Sequence, residues 1–304
     1  MGNPYDGIIL VDKEEGKTSF DVVKGVRRLL KVKKVGHAGT LDPFATGLLI
    51  VLLGQGTKLS SYLMAGDKTY QATMRLGVET DTQDLTGHVV NRGLVPELEP
   101  ESIRKVARRF VGEIEQIPPL FSALNYRGRR AYELAREGIK MDLQKRKVRV
   151  HSLVITSVDL PDITMRVTCS RGTYVRSLAA DLGKELGPGA HLRSLRRLRS
   201  GPFRVEDALS LQKMAHLSQN CLVQIRIPLH KALPDINEAR VDERISQRIR
   251  NGHQPESDEV AMTDLPRSFE GYMKLVDREG LVAIAKVHQP LNNKASLEIM
   301  RVFN

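Results

Sequence analysis

Hydrophobic residues take three spacings along this chain, and each spacing predicts its own kind of element. Continuous apolar runs occupy 8–11 and 48–53, the second bounded by Gly47 and Gly54, and short runs of this type suit buried strands. Residues 69–76 alternate instead. Tyr70, Ala72, Met74 and Leu76 fall on one face and Thr69, Gln71, Thr73 and Arg75 on the other, as in a strand with one covered face, and 148–158 and 163–169 repeat the pattern. A helical spacing begins after Thr18, whose partner Asp21 completes a start signal, with Val22, Val23, Val26, Leu29 and Leu30 as the stripe. Residues 101–110 put Ile103, Val106, Ala107 and Phe110 inward and Arg104, Lys105, Arg108 and Arg109 outward. The segment 174–186 has its stripe at Val175, Leu178, Ala179, Leu182 and Leu186, which leaves Tyr174 and Arg176 on what reads first as a polar face.

Pro228 and Pro234 mark a boundary. Beyond 236 the pattern turns to short strands, 272–276 and 281–287 about the turn Asp277-Arg278-Glu279-Gly280, and predicts a small β-barrel or sandwich. Two motifs reduce to local structure. GQGTK at 54–58 lacks the spacing of a phosphate loop and reads as a plain loop, while DTQDLTG at 81–87 has its acids at the wrong offsets for calcium and reads as a polar hairpin turn.

A length of 304 residues allows two domains. A hydrophobic content of 41% and mean hydropathy of −0.28 predict a soluble globular chain, and no apolar run approaches the roughly 18 residues of a membrane helix. The first residues surround a short apolar run with acids, so no signal peptide is expected. Cys169 and Cys221 stand far apart without a CxxC or a histidine cluster, which predicts no disulfide framework, no zinc site and a reducing cytoplasm. Charge changes the picture more. The net +11 is confined to the first 235 residues, which alone carry +12, and this predicts an anionic partner. A large basic domain with a near-neutral appendage fits a nucleic-acid enzyme whose contacts are mostly to phosphate.

Candidate chemistry centres on GHAGTLDPFATG at 36–47. Its glycines permit backbone shapes closed to other residues, and Pro43 pushes Asp42 toward an extended conformation, so the turn can present Asp42 outward. Asp followed by Pro is also a helix start signal, although the apolar run after it suits a strand better; cap or turn residue and catalytic carboxylate both stay open on spacing alone. His37 with Asp42 makes too few ligands for a metal. The stretch 118–130 interleaves Phe121 and Tyr126 with Arg127, Arg129 and Arg130, which suits either base stacking with backbone binding or a solvated loop. Arg193, Arg196, Arg197 and Arg199 form either a phosphate-binding strip or a solvated face.

Taken together, GHAGTLDPFATGLL, DKTY at 67–70, LGVETDTQD at 76–84, IPPLFSALNYRGRRAYELAREG at 117–138, SRGTYVRSLAADLG at 170–183 and GAHLRSLRRLRSG at 189–201 resemble, in order, the bacterial tRNA pseudouridine-55 synthases of the TruB type. The likeness covers 5–235, and the tail is more weakly similar to a PUA domain. It implies an α+β fold, with a mixed α/β catalytic domain around an antiparallel sheet over 1–235, a flexible thumb about 118–147 and a PUA-like RNA-binding β-barrel over 236–304. It implies isomerisation of a uridine in the tRNA T-loop, with Asp42 as nucleophile, Tyr70 stacked on the base and Arg176 paired to Asp42. His37, Tyr174 and Leu195 would line the substrate site, and Lys13 with the four arginines would meet RNA backbone. The partner implied is the T-arm of tRNA, with a monomer, no protein partner and no membrane. Two positions depart from the family pattern: Glu14 where Pro is common, and Asn125 where Lys is usual.

The isomerisation exchanges a C1'–N1 bond for a C1'–C5 bond. It is redox neutral and needs no ATP, so no cofactor and no metal is expected. The base must leave its stack, at a cost of a few kcal/mol, and an aromatic such as Tyr70 returns about 1–3 kcal/mol. A nearby arginine favours an ionised carboxylate in a dry pocket, and Tyr70 as general base stays open. The competing reading is a non-catalytic RNA-binding protein or tRNA-folding chaperone on the same basic surface.

Overall fold

The computed structural model describes residues 4–256, 259–260, 270–288 and 296–304. Strand β1 (Gly7–Lys13) leads through a turn to helix α1 (Ser19–Leu30), where Thr18 Oγ1 accepts from Asp21 N at 3.0 Å and Thr18 N donates to Asp21 Oδ2 at 3.1 Å. This reciprocal cap satisfies two otherwise orphaned donors. Strand β2 (Val35–His37), the glycine-rich turn and β3 (Thr46–Leu53) come next, then a 3-10 turn over Gly54–Leu59 where a plain loop was expected, and α2 (Ser60–Ala65). The chain continues through β4 (Lys68–Leu76), the hairpin β5 (Val78–Thr80) and β6 (Val89–Arg92), α3 (Pro100–Arg108) and β7 (Gly112–Gln116). The small hairpin β8 (Asn125–Tyr126) and β9 (Arg129–Arg130) precedes α4 (Ala131–Arg136), and β10 (Arg146–Asp159) turns into β11 (Asp162–Cys169). Helix α5 (Val175–Leu186) and β12 (Ala190–Ser200) complete the machinery of the site, ahead of β13 (Phe203–Arg204), α6 (Leu211–Ala215), α7 (Gln219–Gln224) and β14 (Ile227–Pro228).

Ten of these strands form one sheet, ordered β14-β1-β3-β12-β4-β11-β10-β7, with β2 on β3 and β13 on β12. Every pairing in it is antiparallel except β3 with β12, which meet in parallel through Arg196 opposite Thr46 and Arg197 opposite Gly47. That junction divides the sheet into halves that are covered differently. In the first half Ile9, Val11, Leu49, Val51 and Leu53 pack under α1, while Ile8, Leu10, Leu48, Ile50 and Leu52 face a second layer. Both faces are dry, so 48–53 is apolar throughout. The second half buries only the Ala72, Met74 and Leu76 side of β4, with Ile163, Met165 and Val167 of β11, against α3 and α5. Its other face is polar, with Thr69 and Thr73 bonded across to Thr168 and Thr164, which is why these strands alternate.

The C-terminal segment forms a four-stranded sheet, β15 (Asn237–Arg240), β16 (Gly271–Val276), β17 (Leu281–His288) and β18 (Ser296–Val302), with α8 (Glu243–Arg250). Among the described residues this is an open sheet with a parallel first pair rather than a closed barrel. Val276, Leu281, Ile284 and Phe303 share one apolar cluster with Ile8, Leu10, Leu48 and Ile50, so the segment is the second layer over the first half-sheet. No helix among the described residues is long and apolar enough to cross a membrane.

Candidate active site

Asp42 lies in the turn between β2 and β3, and the chain runs on from this turn into a strand, so Asp42 caps no helix. The turn is pinned from three sides. Ser19 Oγ donates to Leu41 O at 3.1 Å and accepts from Leu41 N at 2.9 Å; Gly16 N donates to Pro43 O at 2.8 Å. Lys13 Nζ reaches Pro43 O at 3.1 Å, Glu14 O at 2.9 Å and Lys17 O at 2.6 Å. Arg197 donates to Leu48 O at 2.7 Å, Gly39 O at 3.0 Å and Thr40 O at 3.4 Å. Gly47 has to be glycine: its φ is +98°, and a Cβ there would stand 2.3 Å from Arg197 O.

Against this turn comes the first turn of α5. Arg176 Nε lies 3.0 Å from Asp42 Oδ2, and its Nη1 lies 3.3 Å from Asp84 Oδ2. Nη1 also donates to Thr82 O at 3.0 Å and Nη2 to Phe121 O at 2.9 Å, which fixes the guanidinium completely. Arg176 is 4% exposed, so the polar-face reading of this helix position is corrected: that face is buried because it looks across the site. Asp84 is buried too, its Oδ1 accepting from Thr82 Oγ1, Thr86 N and Thr86 Oγ1 at 2.8, 2.9 and 2.6 Å. Sequence reasoning missed Asp84 because it sits in a segment with every mark of a solvated hairpin turn.

Asp42, Tyr70, Tyr174, Arg176, Leu195 and Arg197 line one cleft of about 710 Å³, together with Ser122 and Asn125 from the segment between β7 and β10. The Asp42 carboxylate is 35% exposed to it. Burial pushes its pKa up; Arg176 and Lys13 pull it back and the charge of Asp84 raises it again. Burial likewise raises the Tyr70 phenol, against the charge and hydrogen bond of Arg197. Tyr70 keeps one face on the core and one on the cleft, so the core and cleft readings of this residue describe its two faces. Tyr174 precedes α5, its backbone bonded twice to the Gln116 amide.

The remaining expected residues have other settings. His37 ends β2 and is not part of the cleft wall; its half-buried ring is held below the usual histidine range by burial and by the charge of Arg197. Lys13, 1% exposed and lowered to about 8 by burial, is a strut of the Asp42 turn rather than a phosphate ligand. Arg197, also 1% exposed, is corrected in the same sense: three of its N–H groups are held by backbone carbonyls of the Asp42 turn and β3. Arg196 is half-buried and forks onto Asp12 at 3.0 and 2.7 Å, and exposed Arg193 pairs with Asp162. Arg199 is exposed, with Nε on Gly201 O. The strip is therefore a central strand, neither wholly phosphate-binding nor wholly solvated. The two departures have local partners as well. Asn125 Oδ1 accepts from Gly128 N at 2.9 Å and closes the β8–β9 turn, and Glu14 pairs with Lys17 at 2.9 Å.

Residues 27–175 match the sequence model of the TruB family pseudouridylate synthase N-terminal domain, and 176–233 that of the tRNA pseudouridylate synthase B C-terminal domain. The join between the two falls at the start of α5, inside the site. A tRNA pseudouridine synthase B of Geobacter sulfurreducens is 44% identical over 98% of this chain and 100% of its own length, and one of Syntrophus aciditrophicus is 42% identical over 98% and 99%. Among solved structures, a chain of a Cbf5-Nop10-Gar1 complex superposes with a TM-score of 0.75 at 26% identity, over 99% of this chain and 86% of that one. One of an archaeal box H/ACA Nop10-Cbf5 complex gives 0.73 at 25%, over 98% and 86%. With two family models in register along the chain and full-length relatives above 40% identity, the chain belongs to the TruB family of pseudouridylate synthases, which are isomerases.

Proposed function

We propose that this protein converts uridine-55 in the T-loop of tRNA to pseudouridine, on a base flipped into the cleft, with Asp42 as nucleophile. The observation that carries the reading is the 3.0 Å pair of Asp42 with a buried Arg176 in a cleft that Tyr70 also lines. The curated relatives, each named tRNA pseudouridine synthase B, support tRNA as substrate. A nucleophilic carboxylate must be ionised where little water reaches it, and one guanidinium fixed by two carbonyls and a second carboxylate needs no reorientation to help it. Arg176 thus holds Asp42 charged and aimed. Tyr70 offers its ring as the surface on which the flipped uracil stacks, Leu195 and Tyr174 close the sides, and the thumb over 118–147 covers the T-arm. The N1–C1' bond breaks with its electron pair on N1, the uracil turns in this cleft, C5 supplies the pair for the new bond to C1', and the proton lost from C5 is matched by one gained at N1, with the Asp42 carboxylate released unchanged.

The same reading assigns 1–235 to catalysis and 236–304 to a PUA-like RNA-binding domain, in a cytoplasmic monomer that acts without cofactor, metal or protein partner. The test is incubation of a T-arm hairpin with the protein and EDTA, followed by mass-spectrometric or carbodiimide detection of pseudouridine. Product at the T-loop uridine is expected. Binding without product would favour a tRNA-folding chaperone.

A further inference from the structure

A buried cation with no carboxylate beside it needs an explanation. Arg197 is 1% exposed, and the ion pairs of the described residues include none for it, whereas Arg176 has two. Three of its N–H donors go to the carbonyls of Gly39, Thr40 and Leu48, which neutral donors could satisfy without the cost of burying a charge. Its position on β12 is informative. Arg197 is the register partner of Tyr70 on β4, directly across one ladder, and both side chains reach the wall of the same cleft. The backbone of Arg197 is held against Gly47, so the side chain has a fixed origin.

We propose that Arg197 is a positioning residue for Tyr70: its guanidinium occupies the lone pairs of the phenol oxygen and, by its charge, leaves the O–H directed into the cleft toward the flipped nucleoside. The charge of Arg197, which lowers the phenol against the effect of burial, agrees with this arrangement. The inference rests on the assignment of Tyr70 to the uridine site given above. It makes the arginine, and not only the aromatic ring, part of what the reaction reads at this position. Asp42 is served by the same guanidinium through Gly39 and Thr40, so one side chain sets both the carboxylate turn and the phenol.

The two roles separate by charge. Arg197→Lys and Arg197→Gln both retain donors for the carbonyls, but only Lys keeps a cation at the phenol. Single-turnover rates on a T-arm hairpin are measured for both variants with Tyr70 intact and in the Tyr70→Phe background, a double-mutant cycle. Expected is an advantage of Lys over Gln of about tenfold with Tyr70 intact and none in the Tyr70→Phe background. The same advantage in both backgrounds, or none in either, would overturn the proposal and leave Arg197 as a strut of the Asp42 turn alone. Should both variants fail to fold, the wild type and Tyr70→Phe suffice: the ¹⁵N-labelled Arg197 side chain must show slowly exchanging protons that exchange faster once the hydroxyl is gone, and unchanged exchange overturns the proposal. If the wild type itself forms no pseudouridine, the assignment of the reaction fails first, which these measurements distinguish.

Discussion

Asp42 is asked to carry charge in a place that resists it, because burial and the neighbouring carboxylate of Asp84 both raise its pKa and only Arg176 and Lys13 lower it. The sign of the pH dependence is set by this balance. As the proposed nucleophile Asp42 acts ionised, so the single-turnover rate should rise with pH through its elevated value, with the acid limb above the ordinary carboxylate range. Replacing Asp84 by Asn removes one repulsion and moves that limb to lower pH, while the plateau falls about tenfold because Arg176 loses a charged anchor. A limb that stays in place would mean that Asp42 does not feel Asp84. Asp42→Asn, by contrast, abolishes turnover but keeps hairpin affinity within about tenfold, roughly 1.4 kcal/mol, since one carboxylate adds little to a phosphate-dominated interface. Loss of folding in that variant would favour a purely structural turn. At this scale the sequence was legible where a residue's setting is local: Asp42 in a glycine-flanked turn, Thr18 capping a helix with Asp21. Arg176 and Asp84 were not legible from periodicity, because each has the other as a buried partner 92 residues away along the chain.

Strand β12 shows the same limit for a whole element. Its arginines at 193, 196, 197 and 199 lend it the look of a basic strip, yet it is the central strand that joins the two half-sheets. Polar side chains survive there because β1, β11 and the Asp42 turn supply Asp12, Asp162 and backbone carbonyls. None of these partners adjoins it in sequence. The covered strands were readable because burial on both faces or on one face imposes its own spacing, and β12, which buries Arg197 beside Leu192 and Leu195 and turns its other arginines outward, interrupts that spacing with a charge. Gly47→Ala places a Cβ 2.3 Å from Arg197 O at a φ of +98°, so chemical denaturation must show a loss of at least about 2 kcal/mol; an unchanged midpoint would deny the close approach of β3 to β12. Arg193 and Arg199 are the exposed members of the strip. Their joint replacement by Ala should flatten the plot of log affinity for tRNA against log salt by roughly 1 per lost phosphate contact, and an unaltered slope would make them a solvated edge.

Across the whole molecule, the near-neutral C-terminal segment is tied to the basic part by packing as well as by chain. Phe303, 2% exposed, lies in one cluster with Ile8, Leu10 and Ile50, and Lys58 Nζ donates to Val302 O at 2.7 Å. Phe303→Ala should therefore destabilise the first half-sheet along with the C-terminal sheet, in a single unfolding transition lowered by about 3–5 kcal/mol. Two transitions, with only one of them shifted, would show two units that fold independently. The composition shift at 236 was visible in the sequence, but the shared core was not, because apolar residues do not declare which layer they meet. What this assembly does to RNA is read out by quantitative mass spectrometry of a T-arm hairpin after incubation with wild-type protein and with Asp42→Asn, both in EDTA. Wild type should convert the T-loop uridine to pseudouridine while the variant binds the hairpin and converts none. Turnover by the variant would remove Asp42 as nucleophile, and no product from folded, hairpin-bound wild type would contradict the reaction itself.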